Sequence, residues 1–136
     1  MPKFLSDEWI KALCQELNQS ETYAQAARNW EGDFYFVIEP EGEMTEPVIF
    51  YMDLWHGKCR EAKLITDEKE KAPAFRMSAS LSSWRKVIAK ELDPIQGLLT
   101  RRLKLKGNMA MIMRNVKAAQ ELVECCTRVP TEFPGE

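Results

Sequence analysis

Leu98-Leu99-Thr100-Arg101-Arg102-Leu103-Lys104-Leu105-Lys106-Gly107-Asn108-Met109-Ala110-Met111-Ile112-Met113-Arg114-Asn115-Val116 changes periodicity twice. It opens as the end of a helix. It then alternates strictly, with Leu103 and Leu105 on one face and Lys104 and Lys106 on the other. After Gly107 it returns to helix. Strand side chains repeat every two residues and helical ones every 3.6, so such a switch inside one run marks a strand-to-helix corner. Gly107 supplies the turn, and Asn108 is suited to cap the new helix through its side-chain oxygen. Met109, Ala110, Met111, Ile112 and Met113 make the first turn apolar all round, whereas a helix lying on a sheet needs one apolar stripe. Periodicity alone favours ordinary core beneath a loop. The surplus otherwise asks for a second apolar neighbour: a ligand, a partner chain or another helix. Methionine suits a ligand because its thioether chain repacks around irregular shapes.

Working outward, Trp9, Leu13 and Leu17 form the stripe of a first helix started by Ser6, with Leu5 and Ile10 placed as a hydrophobic staple. A shorter Ala-rich helix spans 21–27. Residues 33–39 alternate with both faces mostly apolar, as in a central strand covered on two sides, and 48–55 alternate as a second strand with Val48, Phe50, Met52 and Leu54 on one face and Ile49, Tyr51, Asp53 and Trp55 on the other. His56-Gly57 is a two-residue turn into a more polar strand, 59–65, and the charged stretch 66–73 reads as a solvated, mobile loop. A fourth strand spans 74–80. Ser82 or Ser83 opens a helix bearing Trp84, Val87, Ile88 and Leu92. Asp93-Pro94-Ile95-Gln96 opens another, with Asp as cap and Pro at the first position. Gly97 within it marks either an adjustable helix or the close approach of another element. One long final helix to about Cys126 follows the corner. Runs of strands followed by runs of helices indicate an α+β domain.

The run Leu103-Lys104-Leu105-Lys106-Gly107-Asn108-Met109-Ala110-Met111 resembles the signature near the end of the SCP-2-like lipid-binding domain, where a basic strand ends in Lys-Gly-Asn and a helix of small and Met or Leu residues follows. The element order matches that family over about Phe4 to Cys126. The resemblance implies a five-stranded mixed, largely antiparallel sheet in order 3-2-1-4-5, covered on one face by about five helices. A hydrophobic tunnel would lie between the layers. It also implies a lipid guest, whether fatty acid, fatty acyl-CoA, phospholipid or sterol, bound reversibly without covalent chemistry or a cofactor. The helical wall expected for that tunnel comprises Trp84, Ile88, Leu92, Ile95, Leu98, Leu99, Met109, Met111, Ile112 and Met113. The sheet side would be Phe36, Phe50, Met52, Phe75 and Met77.

The chain has 136 residues, the size of one domain, with a core over 4–126 and a loose tail over 127–136. Its net charge of −2 gives no general attraction to nucleic acid. No apolar run approaches the roughly eighteen residues of a membrane span. The first residues lack the apolar core of a signal peptide, and Pro134-Gly135-Glu136 is not a Ser-Lys-Leu peroxisomal address, so a cytoplasmic location is expected. Cys14, Cys59, Cys125 and Cys126 show no C-x-x-C spacing and His56 is the single histidine, which argues against a structural metal. No catalytic motif is found. Asp53, if buried, and His56 are the remaining acid–base candidates. The expectation is a non-catalytic lipid carrier with transient membrane contact. The alternative is an interaction module or accessory subunit whose apolar groove takes a partner helix or a second copy of the chain.

Overall fold

The computed structural model describes residues 3–133. Four of the early and middle helices start where a short polar side chain precedes an apolar stripe. Ser6 accepts from the Trp9 N–H at the start of α1 (Asp7–Gln19), and Ser20 accepts from Tyr23 at α2 (Glu21–Ala26). Ser80, rather than Ser82 or Ser83, caps α3 (Leu81–Ile88). Asp93 accepts from both Ile95 and Gln96 at α4 (Pro94–Leu99). Each such bond satisfies an amide that the helix itself cannot.

The strands are β1 (Glu31–Glu39), β2 (Val48–Trp55), β3 (Lys58–Ile65), β4 (Phe75–Ser80) and β5 (Lys104–Lys106). They form one sheet in the order β3-β2-β1-β4-β5, and only the β1–β4 pair is parallel. This is the architecture the family resemblance implies. The register aligns large apolar side chains across the strands. Phe34 lies opposite Met52 and beside Phe75, and Phe36 lies opposite Phe50 and beside Met77. One sheet face is therefore carpeted with aromatic and methionine side chains, and the helices pack on that face. Asn18 ties α1 to the sheet through a reciprocal pair of bonds, donating to the Cys59 carbonyl at 2.9 Å and accepting from its N–H at 2.8 Å.

Three sequence expectations are corrected. The last helix is two: α5 (Met109–Met113), capped by Asn108, and α6 (Val116–Thr127), so among the described residues the sheet is accompanied by six helices. The break falls at Arg114-Asn115, where Asn115 leaves helical geometry (φ −126°, ψ 36°) and its side chain donates back to the Met111 carbonyl. The charged stretch 66–73 is not a free loop. It folds over the outer sheet face, where Tyr35, Val37, Ile49, Tyr51 and Ile65 form a second buried cluster. The Tyr35 hydroxyl accepts from the Lys71 N–H at 3.0 Å, and the Lys71 ammonium sits over the Tyr51 ring. The stretch read as a loose tail is anchored through Phe133. Val129 is buried, Thr131 accepts from the Trp9 indole, Glu132 bridges to Lys3, and the Phe133 ring packs 5.4 Å from that of Phe4. Residues 134–136, on which the peroxisomal-address reading rests, lie outside the described residues.

Gly97 marks a close approach. A Cβ there would fall 2.9 Å from both Cγ and Cδ1 of Leu103, which is 1% exposed and donates its own N–H to the Gly97 carbonyl. Leu103 is thus fixed at the entrance to β5 by the residue it packs on. Gly97→Ala gains about 1 kcal/mol of helix propensity but overpacks this contact at a cost of roughly 1–3 kcal/mol. The urea midpoint of the variant should fall; a rise would show that Leu103 can move aside.

Candidate functional site

Between the aromatic sheet face and the helices lies a cavity of about 120 Å³. Its floor is Phe34, Phe36 and Ile38 of β1, Phe50, Met52 and Leu54 of β2, and Met77 of β4. Helix α1 contributes Trp9, Ile10 and Leu13, and α2 contributes Tyr23. Helices α3 and α4 contribute Trp84, Val87, Ile88, Pro94, Ile95 and Leu98. Leu103 and Ile112 close it at the corner, and Ala118, Ala119, Leu122, Val123 and Cys126 of α6 roof it, with Asn115 at the helix break.

Among the described residues, no charged side chain lines this space. The polar atoms carried by its tryptophans are already engaged. The Trp9 indole N–H donates to Thr131 at 2.8 Å, that of Trp30 to the Gly32 carbonyl at 3.0 Å, and that of Trp84 to the Val37 carbonyl at 2.9 Å. The rings therefore present only hydrocarbon inward. Burial pushes the Tyr23 phenol well above its ordinary range, so it stays neutral. A void with such walls has nothing to hold water and stays dry. Protein interiors leave few gaps larger than one water. Left empty, 120 Å³ costs roughly 3 kcal/mol at about 24 cal/mol per Å³. An apolar guest recovers that loss.

Of the residues expected to form the wall, Phe36, Phe50, Met52, Met77, Trp84, Ile88, Ile95, Leu98 and Ile112 surround the cavity. The remaining six do not. Phe75 is buried on the same sheet face but stacks on Phe34 and Trp30, filling the end of the carpet. Leu92 is buried beyond the end of α3, outside the wall. Met111 is half-buried against the core. Leu99, Met109 and Met113 point outward, with exposures of 60%, 40% and 41%. The helix break explains the methionines: a five-residue helix turns one side inward, at Ile112, and has no second packed layer. Sequence reasoning missed the contributions of α1, α2 and α6. Their apolar stripes were visible, but a stripe facing solid core and a stripe facing a void look alike.

The acid–base candidates lie away from the cavity. His56, at φ 50° in its turn, pairs with Glu31 at 2.6 Å on the surface. Asp53 accepts two bonds from Arg60, at 3.0 and 3.1 Å. Among the described residues, no cluster of three His, Cys, Asp or Glu is placed to hold a metal ion, and no helix is long and apolar enough to cross a membrane.

These features have counterparts in known proteins. The chain belongs to the SCP-2 sterol transfer family, whose sequence model matches residues 10–120. It is similar to a sterol carrier protein 2 crystal structure, with 34% identity and a TM-score of 0.87 over 94% of this chain and all of that one. A conserved hypothetical protein from Thermus thermophilus, described as possibly a sterol carrier protein, is also 34% identical, with a TM-score of 0.86 over 96% of this chain and 92% of that one. The apo form of sterol carrier protein 2 from Yarrowia lipolytica, 14% identical, shares the fold at a TM-score of 0.63 over 93% of this chain and 95% of that one. No curated protein sequence matches the chain.

The cavity makes a prediction about its own thiol. Burial pushes the Cys126 thiol up to about 12, while its hydrogen bond with Cys59 lowers that of half-buried Cys14. The thiolate is the reactive form. Iodoacetamide at pH 8 should label Cys14 first in the folded protein and reach Cys126 only after denaturant is added, as read by peptide mass spectrometry. Equal labelling of both in the folded state would mean that the cavity wall opens freely to water.

Proposed function

We propose that this chain is a non-catalytic lipid carrier that holds an acyl chain or comparable apolar lipid in the cavity between sheet and helices. The observation that carries this reading is the dry, hydrocarbon-walled void itself, within a fold whose family is one of sterol transfer. Fatty acids, fatty acyl-CoA, phospholipids and sterols are the guest classes. Binding is by burial alone. Each methylene buried contributes about 0.8 kcal/mol, so a chain burying about ten of them gains roughly 8 kcal/mol gross. Association and ordering offset several kcal/mol of this, but relief of the empty void adds to it, so binding of such a chain falls near the micromolar range. A longer tail requires wall side chains to shift, or leaves its end at the surface. With no charged residue in the wall, an ionised head group stays outside, because burying an unpaired charge costs far more than the tail gains. A cytoplasmic setting suits this reading, since four free cysteines are kept and no disulfide forms among them.

The test fills the cavity from within. Ala118 and Ala119 sit on α6 with their small side chains facing the void. Ala118→Leu should occupy part of it without overpacking, raise the stability of the lipid-free protein by about 1 kcal/mol, and weaken displacement of a fluorescent fatty acid at least tenfold. Native mass spectrometry of gently purified wild-type protein should show one lipid per chain. A destabilised variant with unchanged lipid affinity would mean that the guest binds elsewhere. A lipid-free dimer would favour the interaction-module reading.

A further inference from the structure

The outer face of the sheet, turned away from the lipid cavity, carries a row of side chains that the register sets side by side. Tyr35 of β1 lies beside Arg76 of β4, and Arg76 lies directly opposite Lys106 of β5. Side chains at paired positions share a face, with Cβ atoms roughly 4.5–5.5 Å apart, and like charges placed so repel. A guanidinium and an ammonium therefore meet across the last two strands. Packing does not ask for the second cation. Strand β5 has three residues, and Leu105, on its inner side, is the one that packs against the core. Lys106 is exposed, and among the described residues no ion pair engages it. The nearby acid Glu39 is taken by Lys104 at 3.5 Å.

Beside this pair lies an open-sided cleft of about 340 Å³. Glu68, Lys71 and Pro73 of the strap 66–73 bound it on one side, Arg76 and Lys106 on the other, with Tyr35 between. Its volume is at the lower end of the roughly 300–1,000 Å³ of small-molecule sites. The sheet separates it from the apolar cavity.

One anion already reaches into the cleft. The Glu68 carboxylate accepts from Arg76 Nη1 at 3.2 Å, in a single bond rather than the bidentate pair a guanidinium can make. The Glu68 side chain is 55% exposed. Its backbone, in contrast, is fixed. The Tyr35 hydroxyl lies 3.0 Å from the Glu68 carbonyl and 3.1 Å from that of Lys71 and shares its proton between them. Just beyond the strap, the Ala74 N–H donates to Asp33 at 2.8 Å. The carboxylate can thus swing out while the strap stays in place. The Lys71 ammonium is committed elsewhere, to Glu61 at 3.1 Å and to the face of the Tyr51 ring. With Glu68 withdrawn, Arg76 and Lys106 leave two positive charges facing the cleft.

We propose that this cleft binds a small water-soluble dianion, a phosphate or dicarboxylate compound, which takes the place of the Glu68 carboxylate. Arg76 grips one end through its planar fork, and Lys106 supplies the second charge. The anion relieves the repulsion between the two cations. Two cations bounded by a strap make a pocket and not a tract, so the occupant is a small molecule rather than a polyanion. The inference stands apart from the carrier reading, whose guest lies on the other side of the sheet, and either can fail alone.

The test is a titration of the full chain with sodium phosphate and, separately, with sodium succinate, at a constant ionic strength of about 0.15 M so that general screening does not change. Amide resonances of Arg76, Lys106 and Gly107 should move along one saturating curve with at least one of the two anions, with a Kd of a few millimolar or tighter. Those of Leu98 and Ile112 in the cavity wall should stay in place. The anion preferred tells a phosphate compound from a dicarboxylate. Lys106→Gln should weaken binding at least fivefold with an unchanged or higher urea midpoint, since it removes a repulsion and breaks no ion pair. Arg76→Lys keeps the charge but loses the fork, and should weaken binding by a similar factor. Glu68→Gln removes the competing carboxylate and should tighten binding about fivefold. Affinity that rises with loss of an acid and falls with loss of a cation does not arise from general destabilisation. Absence of saturation with either anion up to about 50 mM, or wild-type affinity in Lys106→Gln or in Glu68→Gln, overturns the proposal.

Discussion

The cavity exists because the side chains around it are rigid and held by bonds that point away from it. Leucine and methionine can lean into a gap; a tryptophan whose N–H is bonded to a fixed acceptor cannot. Trp84 is held by Val37 of the central strand and Trp30 by Gly32, while Trp9 is held by Thr131 near the end of the described chain. The phenylalanines are fixed by one another, with Phe34 stacked on Phe36 at 4.8 Å, on Phe75 at 5.0 Å and on Trp30 at 5.7 Å. On the roof, α6 places alanines where larger residues would have closed the space. Aromatic floor and small-residue roof together leave a volume that the protein's own groups do not fill, and close packing elsewhere in the core offsets what that void costs.

Much of the fold could be read from periodicity. The second strand ends where the alternation of Val48 to Trp55 ends, and the corner at Gly107-Asn108 is where the period switches. The sheet order could not be read from the residues themselves. It came with the family resemblance, because strand order is a matter of pairing between distant segments, on which local pattern is silent. The break at Arg114-Asn115 was hidden for a different reason. Neither glycine nor proline marks it, and Asn115, a residue suited to precede a helix, stands inside an apolar stripe that runs on across the break. The apolar surplus of Met109 to Met113 falls on a short helix that turns Ile112 into the cavity and leaves Met109 and Met113 exposed. The loop 66–73 misled through its composition. Its charged side chains suggested solvation, but its backbone and Lys71 are held by Tyr35 and Tyr51 of the outer sheet face.

The cavity itself was the least legible feature. Apolar stripes on α1 and α6 predict burial, and burial is what both a filled core and an empty tunnel require. What separates them is the three-dimensional sum of volumes, in which Ala118 and Ala119 count by what they lack. Charge was legible locally, in the basic run of Arg101, Arg102, Lys104, Lys106 and Arg114, but not in the total. The chain's small net charge hides a cationic segment from residue 94 to residue 120. A whole-chain count averages that segment against the acids of the first half.

Entry of hydrocarbon into the space between sheet and helices is tested most directly by nuclear Overhauser contacts from the methylenes of bound palmitate to assigned side-chain methyls. Contacts to Ile88, Ile95, Leu98 and Ile112 are expected, with none to Leu99. Contacts confined to Leu99 and the methyls of Met109 and Met113, with the inner methyls unperturbed, would place the guest on the outside and contradict a carrier built around the cavity.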